Sequence, residues 1–474
     1  MCLLFALWFA SGIVMMYVEY PELTEAERLE ALPELNIGEV NYLPFAASKS
    51  VTGDSAFTAA KLTTTLGRPT YEFRGISGAT SFVFADTNEL LQPIDDALAL
   101  VSVRESGFSS NQITPTVEAT IDFDQWTLST GLNRYRPLHK VSLNDDRGTV
   151  LYVASTSGQI VRDTNEPERF WNWLGSTIHW IYPAILRKNA SLWNDLVVYI
   201  SLLGIISVVT GAIVGFLRLR LFNPYKGGRV SPYKSWMKWH HIGGLLTLVF
   251  VSTYIFSGLM SMGPWGVFNS PVSQQGQIAR YNGADTLRLS TLTLPNTTTI
   301  ESKVKEIKWH QILGEPYSSA TLSASERIPF FGGTQSDQQA QLEEKIQRAI
   351  PQLIPDAQLQ NVELIRSPDN YYYSMHNRYR PLPVYRAVFN DSQKSWFHID
   401  GVTGEVINRV DKTARQERWL FNGLHSLDFQ ILLQHRPLWD MVVISLNLLG
   451  LAFSITAVVV GWRRLTHSIN KGFS

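Results

Sequence analysis

Four histidines lie beside long apolar stretches of this sequence, and their side chains are the groups best suited to metal or cofactor chemistry. His179 and His425 each follow a Trp-Leu pair at the same distance and precede an apolar stretch, whereas His240 and His241 open another one. Cys2 is the one cysteine in the sequence, which excludes intramolecular disulfides, thiolate iron–sulfur clusters and multi-cysteine zinc sites. A metal in this protein must therefore be held by histidine, by carboxylate or by a cofactor.

These histidines belong to a unit that occurs twice in the sequence. A separation of 246 residues (179 to 425) carries His179 onto His425 and also carries Ser11-Gly12 onto Ser257-Gly258. The same separation relates Trp173 to Trp419, Leu174 to Leu420, Trp193 to Trp439 and Leu203 to Leu449, and slightly different separations relate residues 66–69 to 313–316 and residues 133–138 to 377–382. Small changes in separation are typical of loop insertions, so the sequence predicts an internally duplicated protein.

Imidazoles at matching positions of such a repeat could hold one haem iron between them. Haem b in a membrane helix bundle needs neutral imidazoles from different helices, with the macrocycle packed among small and aromatic side chains. A pseudo-two-fold axis would bring His179 and His425 to opposite faces of one cofactor near the outer surface. The alternative is that an interfacial histidine only anchors a helix among lipid headgroups, and duplication would preserve either role. The same two interpretations apply to His240 and His241.

The chain of 474 residues is too long for one ordinary domain, and its 41 basic and 41 acidic residues give no sign of a nucleic-acid partner. Apolar stretches at 192–217, 242–262 and 438–462 are each long enough to cross a bilayer, and a shorter one covers residues 3–18. Lys and Arg are concentrated in the loop between the second and third stretches and after the fourth, which marks those segments as cytoplasmic. The sequence therefore predicts four transmembrane helices with the polar regions outside.

The positions equivalent to His240 and His241 in the first copy fall before residue 1. We therefore expect the first helix to begin upstream of this sequence.

The polar regions have the composition of soluble α+β modules. Predicted helices cover residues 23–32, 95–103 and 338–350, and predicted strands cover residues 125–128, 140–143, 149–154, 371–375, 384–390 and 396–399. The predicted organisation is transmembrane helix 1 (1–18), module 1 (19–167), an interfacial helix (168–190), transmembrane helix 2 (191–217), a basic cytoplasmic loop (218–239), transmembrane helix 3 (240–262), module 2 (263–413), a second interfacial helix (414–436), transmembrane helix 4 (437–462) and a cytoplasmic tail (463–474).

The segment from Phe397 to Val406, Phe-His-Ile-Asp-Gly-Val-Thr-Gly-Glu-Val, resembles the end of a PepSY domain. The doubled order of helix, PepSY-like module, Trp-Leu-x4-His and helix is similar to the PepSY-associated transmembrane proteins. The first copy departs from this pattern, because its turn at residues 154–160 lacks the Asp and Glu. The resemblance implies a membrane α+β protein with four transmembrane helices and two periplasmic modules, located in a bacterial inner membrane.

What the resemblance implies about function is a haem-b-bearing reductase of ferric siderophores that supports iron uptake. It also implies a second, inner haem that His240 or His241 would share with a histidine of the first helix. Reduction to iron(II) would weaken a hard-oxygen chelate and free the metal. The sequence has no flavin or nicotinamide motif, so the electron donor would be a quinol or another protein.

The repeated Asn-Arg-Tyr-Arg-Pro-Leu segments are candidates for binding the substrate, because paired guanidiniums suit a large anionic ferric chelate. The arginines concerned are Arg134, Arg136, Arg378 and Arg380. The alternative is that these side chains cover the sheet at the start of a strand. His139 and His376, which flank the two segments, are interpreted as surface residues. The alternative function is a non-catalytic membrane protein whose modules bind and regulate a periplasmic protease, sensor or transporter.

Overall fold

The structure, a computed structural model, describes residues 1–53, 56–109, 114–295, 303–330, 335–375 and 379–472. The chain divides into two compact units. The helical unit comprises Met1–Pro21, Pro167–Asn269 and Thr413–Ser474, and the sheet unit comprises Glu22–Glu166 and Ser270–Lys412. The segments 19–167 and 263–413, which the sequence presented as two modules, thus share one unit.

The α-helices are, in chain order, α1 (Cys2–Met15), α2 (Glu25–Ala31), α3 (Pro44–Ser48), α4 (Asp96–Glu105), α5 (Glu166–Asn172), α6 (Ala184–Arg187), α7 (Ala190–Arg218), α8 (Ser235–Ser261), α9 (Gln274–Asn282), α10 (Gln335–Ala349), α11 (Lys412–Arg418), α12 (Gln430–Leu433) and α13 (Arg436–Gly472). The β-strands are β1 (Phe57–Thr65), β2 (Arg68–Gly75), β3 (Thr80–Phe84), β4 (Thr116–Ile121), β5 (Leu138–Ser142), β6 (Val150–Ala154), β7 (Ile160–Thr164), β8 (Glu306–Ile312), β9 (Glu315–Thr321), β10 (Arg327–Phe330), β11 (Leu359–Ile365), β12 (Val384–Phe389), β13 (Trp396–Asp400) and β14 (Val406–Val410).

Three helices in the described part of the chain are long and apolar enough to cross a membrane, and all three belong to the helical unit. They are α7, α8 and residues Arg436–His467 of α13. The apolar helix α1 has 14 residues, which gives about 21 Å at helical rise and is short of a bilayer core of about 30 Å. Two boundaries differ from the prediction. Helix α8 begins at Ser235 rather than at residue 240, and α13 continues through most of the predicted tail.

Helix α1 packs against α8 and α13. The Phe9 ring lies 6.4 Å from the Phe250 ring of α8 in an edge-on contact. On the α13 side, a Cβ atom added to Gly450 would lie 2.5 Å from the Phe9 ring, which is impossible without movement. A glycine at position 450 is therefore required for the close approach of α1 to α13.

The centre of the sheet unit is a six-stranded antiparallel sheet in the order β10-β9-β8-β1-β2-β3. Its middle pair joins β1 from one half of the chain to β8 from the other, with Lys61 directly opposite Lys308. Alternate residues such as Leu62 and Ile307 point to one face and form the largest apolar core of this unit. The other face is polar and carries both lysines together with Glu306.

Two four-stranded antiparallel sheets complete the unit, in the orders β4-β5-β6-β7 and β11-β12-β13-β14. Helix α4 packs on the first through Ala99 and Val103, and α10 packs on the second through Leu342 and Ile346. Each sheet and its helix therefore form a small α+β layer pair, as the sequence predicted for the two modules.

Two predicted strands are wrong, and both fail for the same reason. At residues 125–128 the carboxylate of Asp124 accepts a hydrogen bond from the backbone N–H of Trp126 and turns the chain. At residues 371–375 the carboxylate of Asp369 accepts hydrogen bonds from the backbone N–H groups of Tyr371 and Tyr372. An aspartate that bonds to the backbone two residues later favours a turn over an extended chain, whatever the β propensity of the residues that follow.

Candidate functional site

Two π-helical segments position the histidines that the sequence singled out. Residues Trp173–Thr177 continue α5 with π-helical hydrogen bonding, and Trp419–Gly423 continue α11 in the same way. His179 and His425 each follow such a segment by two residues. A π-helical turn is rare and occurs frequently at functional sites, because it redirects the side chains that come after it.

The two histidines lie next to each other in the helical unit. Their ring centroids are 6.0 Å apart, and the ring planes are inclined by 70°. Residues 246 positions apart in the sequence (179 and 425) thus meet at one point of the helical unit. The structure thus brings the two sequence-predicted histidines together.

The Nδ1 atoms of both rings bind to helices that run beside them. His179 Nδ1 lies 3.1 Å from Ser11 Oγ and 3.2 Å from the carbonyl oxygen of Trp8, both on α1. His425 Nδ1 lies 3.0 Å from Ser257 Oγ on α8, and His425 also forms a hydrogen bond with the backbone of Tyr254. The Ser11 hydroxyl donates to its own helix at Leu7 O, so it accepts from the ring.

A carbonyl oxygen can only accept a hydrogen bond, so the Trp8 contact assigns the ring proton of His179 to Nδ1. The neutral imidazole then carries its lone pair on Nε2. Burial away from water favours this neutral form over the imidazolium. Histidines that ligate a metal commonly donate their other ring N–H to a carbonyl oxygen in this way.

Glycines next to the two serines leave room for the rings. A Cβ atom on Gly12 would lie 3.5 Å from Cε1 of His179, and one on Gly258 would lie 3.5 Å from Cε1 of His425. Alanine would fit at Gly258, but at Gly12 its Cβ would also lie 3.2 Å from Asn447 Oδ1, and longer side chains would press on the imidazole at either position. Each histidine ring therefore lies against one of the repeated Ser-Gly pairs, which we call its histidine seat.

Tryptophans on the spanning helices hold the turns that follow the histidines. Trp193 Nε1 donates to the carbonyl oxygens of Trp180 and Ile181 at 3.0 Å each, and Trp439 Nε1 donates to Ser426 O at 2.9 Å. The chain reverses at Ile181 (φ 51°) in one copy and at Leu427 (φ 53°) in the other. A left-handed backbone at a branched side chain is costly, so the tryptophan bonds stabilise a turn that would otherwise relax.

Aromatic side chains surround His425. The Phe421 ring centroid is 5.6 Å and the Tyr254 ring centroid is 5.7 Å from that of His425. The Tyr254 hydroxyl is buried and has no hydrogen-bond partner among the described residues. A buried hydroxyl without a protein partner costs free energy, so this atom can serve as a polar contact for a molecule bound beside His425.

His240 and His241 differ in what their ring nitrogens bind. Both nitrogens of His241 are occupied, Nδ1 by Ser231 Oγ and Nε2 by Gly215 O, each at 2.8 Å. His240 binds Thr456 Oγ1 through Nδ1 at 3.1 Å, and its ring stacks on Phe453 at 4.9 Å. His241 therefore links α8 to its surroundings, whereas Nε2 of His240 is available to a ligand.

An apolar groove of about 980 Å³ between α8 and α13 lies beside His240. Its walls include Trp236, Trp239, Phe250 and Phe453, and Gly243 and Thr247 form its floor. Small and aromatic residues in this arrangement provide a flat apolar slot within the helical unit.

The three described arginines of the predicted substrate site have different surroundings. The Arg136 guanidinium donates to Thr127 O and to Asn133 Oδ1, so it stabilises its own loop. Arg380 lies over the Tyr372 ring at 5.7 Å, and Arg378 is outside the described residues. Arg134 stacks on Tyr135 at 4.7 Å and lines a cavity of the sheet unit.

The prediction that His139 is a surface residue is wrong. Its side chain is buried on β5, where Nδ1 binds Asp96 Oδ1 at 2.7 Å and Nε2 binds Ile94 O at 3.1 Å. The partners come from the segment that leads into α4, which the sequence around residue 139 does not indicate. The other such histidine, His376, lies outside the described residues.

The sequence signal that locates the histidine seats is the equal spacing of serine and histidine. Ser11 precedes His179 by 168 residues, and Ser257 precedes His425 by the same number. The Ser-Gly repeat was noticed in the sequence, but nothing local relates it to the histidines. Only the constant separation in both copies could have connected them.

Helices of membrane-spanning length, paired histidines and antiparallel sheets define a membrane protein of mixed α and β structure. Comparison with family models identifies the PepSY-associated TM region over residues 2–303, well over half of the chain. The chain therefore belongs to the PepSY-associated TM family, which confirms the resemblance drawn from its sequence. A comparison with curated proteins finds no match.

Proposed function

We propose that this protein is a haem-b-dependent reductase of the bacterial inner membrane that delivers electrons to a ferric siderophore in the periplasm. The observation that carries this proposal is the pair of imidazoles, His179 and His425, with centroids 6.0 Å apart and Nδ1 atoms bound to neighbouring helices. Family membership supports the membrane location.

The spacing of the rings fits two axial ligands of one iron. A metal–imidazole bond of about 2 Å and roughly 1.1 Å from nitrogen to ring centre, on each side, give about 6 Å between the centroids of two imidazoles on one ion. Gly12 and Gly258 leave space beside the rings, and the unpartnered Tyr254 hydroxyl offers a polar contact. Lipid-anchoring histidines would have no reason to meet each other inside the helical unit.

The proposal includes four spans and an internal duplication. The contact of α1 with α8 and α13 through Phe9 supports α1 as the fourth span. The duplication is supported by the equal separation of serine and histidine in both copies. It is also supported by the pairing of Lys61 with Lys308, which occupy equivalent positions of the two copies. The basic loop from Arg218 to Lys238 then lies in the cytoplasm and the sheet unit in the periplasm.

An inner haem would use His240 rather than His241. His241 has both ring nitrogens in hydrogen bonds, whereas His240 contacts Phe453 and Thr456, which line the apolar groove of about 980 Å³. This groove supports a position for a second macrocycle in the half of α8 that is nearer to the basic loop.

Haem b held by His179 and His425 would supply reversible transfer of one electron at a time. The protein would contribute the orientation of the two imidazoles and a fixed proton on each Nδ1. Each ferric ion takes up one electron. A quinol that releases two electrons and two protons therefore reduces two ferric ions, and a protein donor reduces one ferric ion for each electron that it carries. Iron(II) binds hard oxygen ligands more weakly and is released for import.

The absorption spectrum of the purified protein tests this function. The dithionite-reduced protein should show the α-band of b-type haem, and His179→Ala and His425→Ala should each remove the band that these residues support. His435→Ala is a matched control, because His435 is exposed and binds only the carbonyl oxygen of Ile431. The reduced wild type should also convert ferric citrate to iron(II), trapped by a ferrous-specific dye.

A colourless wild-type protein from haem-replete cells contradicts the proposal. So does a His425→Ala protein whose spectrum equals that of the wild type and of His435→Ala.

A further inference from the structure

The sheet unit contains a cavity of about 510 Å³ on the polar face of its six-stranded sheet. The walls come from β1, β2 and β8, from the helices α2 and α4, and from the turn at Gly158. Its volume lies in the range of pockets that bind small molecules.

A buried network of charges forms one wall. The carboxylate of Glu306 is fully buried, and it binds the guanidinium of Arg28 at 2.8 Å and the ammonium of Lys61 at 3.1 Å. Lys61 also binds Glu72 at 2.9 Å. Burial by itself would raise the pKa of Glu306, but the charges of Lys61 and Arg28 outweigh burial and hold this pKa well below its usual range.

The fold itself does not require these charges. The register of β1 with β8 relates positions 247 residues apart (61 and 308), so Glu306 corresponds to Ala59 and Glu72 corresponds to Ser319. The other half of the same sheet is thus built with small neutral residues at these positions. Because burying charges costs free energy that well-packed neutral residues avoid, their presence on one side indicates a role in binding.

Three cations of the cavity form no ion pair with a described residue. Lys308 is partly buried beside Lys61, and no carboxylate of the described residues lies within ion-pair distance of its ammonium. Arg134 and Arg74 also line the cavity without an ion pair to any described residue. The other acidic residues of the cavity are Glu25, which pairs with Arg28 at 2.8 Å, Glu105, and the half-exposed Glu405, which lies 3.5 Å from His310.

A buried hydroxyl faces the same space. Thr65 is 4% exposed, lines the cavity, and its Oγ1 has no hydrogen-bond partner in the described part of the chain. A threonine in a strand can usually find a partner or water, so an unpartnered hydroxyl in a cavity that also contains unpaired cations points to a ligand that supplies an oxygen.

We propose that this cavity binds a small anion rich in carboxylate oxygens, with Lys308 as its main charge partner, Thr65 as a donor and Arg134 at the rim. If the proposed function holds, this anion is a carboxylate-type chelate of the ferric ion that the protein reduces. The binding site itself does not depend on that function, and only the identity of the bound metal rests on it. Lys308 should determine the affinity for this anion, because it lines the cavity and the carboxylates near it are already paired or are exposed.

Isothermal titration of gallium(III) citrate into the full-length protein in detergent tests the site. Gallium(III) is not reduced, so this measurement does not depend on haem or on electron transfer. The wild type should bind, Lys308→Gln should bind roughly 10-fold more weakly or worse, and Lys308→Arg should retain binding. Lys303→Gln is the matched control, because Lys303 is an exposed lysine of the same region that pairs with Glu34 outside the cavity.

Absence of binding by the wild type overturns the inference, and so does equal affinity of Lys308→Gln and Lys303→Gln. If the haem-containing Lys308→Gln protein reduces ferric citrate with the same KM as the wild type, the cavity is not the binding site, and the proposed reductase function is unaffected. Binding of gallium citrate by a protein without haem supports the cavity and contradicts the reductase. Equal melting temperatures of the two lysine variants establish that a loss of binding is local.

Discussion

The two halves of the chain make matching contacts around the histidines of the helical unit, whereas their residues in the sheet unit differ. His179 Nδ1 lies 3.1 Å from Ser11 Oγ, and His425 Nδ1 lies 3.0 Å from Ser257 Oγ. On the polar face of the six-stranded sheet, by contrast, the fully buried Glu306 corresponds to Ala59.

This difference shows what each region does with its two copies. If one iron lies between the two imidazoles, as proposed, both copies must be alike, because each supplies one ligand. A cavity on one side of a sheet needs only one copy, so the other is free to change. Substitutions made in both copies should therefore have equal effects in the helical unit and unequal effects in the sheet unit.

The largest expected effect is on the buried carboxylate of the sheet unit. Glu306→Gln leaves Arg28 and Lys61 without their shared anion and should lower the free energy of unfolding by about 3 kcal/mol. Urea denaturation followed by circular dichroism measures this change. Glu344→Gln, which removes an exposed carboxylate of α10, should change stability by less than about 0.5 kcal/mol. Equal stability of the two variants would mean that the buried charge network does not stabilise the sheet unit, which would contradict the prediction.

The same carboxylate predicts an acid dependence. The pKa of Glu306 is lower in the folded protein than its usual value of 4.5, so its contribution to stability is complete above that pH and is lost as the pH falls toward the folded pKa. The difference in stability between wild type and Glu306→Gln should therefore shrink below about pH 4.5. Denaturation curves between neutral pH and pH 3 measure this, and a difference that stays constant over the range would refute the assignment.

Overfilling the histidine seats should have the next largest effect, and it should be the same in both copies. Gly12→Leu and Gly258→Leu push against His179 and His425 and should each weaken haem retention by about 2 kcal/mol, or roughly 30-fold. Haem content per protein, measured after gel filtration at low concentration, provides the readout. Gly211→Leu on α7, where nothing lies within 4 Å of the added Cβ, should retain haem. A loss in only one of the two seat variants would break the equivalence of the copies.

The smallest expected effect concerns the serine hydroxyls. Ser11→Ala and Ser257→Ala each remove one acceptor from Nδ1, worth about 1 kcal/mol, and leave the backbone acceptor in place. The imidazole becomes a weaker donor to iron, so the midpoint potential should rise by roughly 40 mV in each variant. Redox titration of the α-band measures the shift. Ser207→Ala, whose hydroxyl binds only its own helix, should leave the potential unchanged, and shifts of opposite sign in the two copies would refute equivalent seats.

The membrane helices and the histidine pair could be predicted from sequence because both depend on simple regularities. A bilayer imposes a minimum length on apolar stretches, so α7, α8 and α13 were recognisable within a few residues. The equivalence of His179 and His425 followed from constant spacing, which loops cannot disturb by more than a few positions.

The parts that could not be predicted depend on contacts between distant segments. Pairing of β1 with β8 joins Lys61 to Lys308, and no local pattern in either strand specifies that partner. The Glu306 network draws Arg28, Lys61 and Glu72 from separate elements, so none of them stands out as a motif. His139 is buried only because Asp96, more than forty residues earlier, supplies its partner.

The seam between β1 and β8 has a consequence for any polypeptide of half this length. With β8 removed, β1 would present an open edge of unpaired backbone groups, and such edges attract other chains. Two identical short polypeptides could cover both edges by pairing about the Lys61–Lys308 position, which is an isologous arrangement with each residue facing its own counterpart. If such a symmetric dimer is fused into one polypeptide, a substitution can change one side of the β1–β8 pair without changing the other. Single substitutions can then create a cavity on one side of an otherwise symmetric sheet.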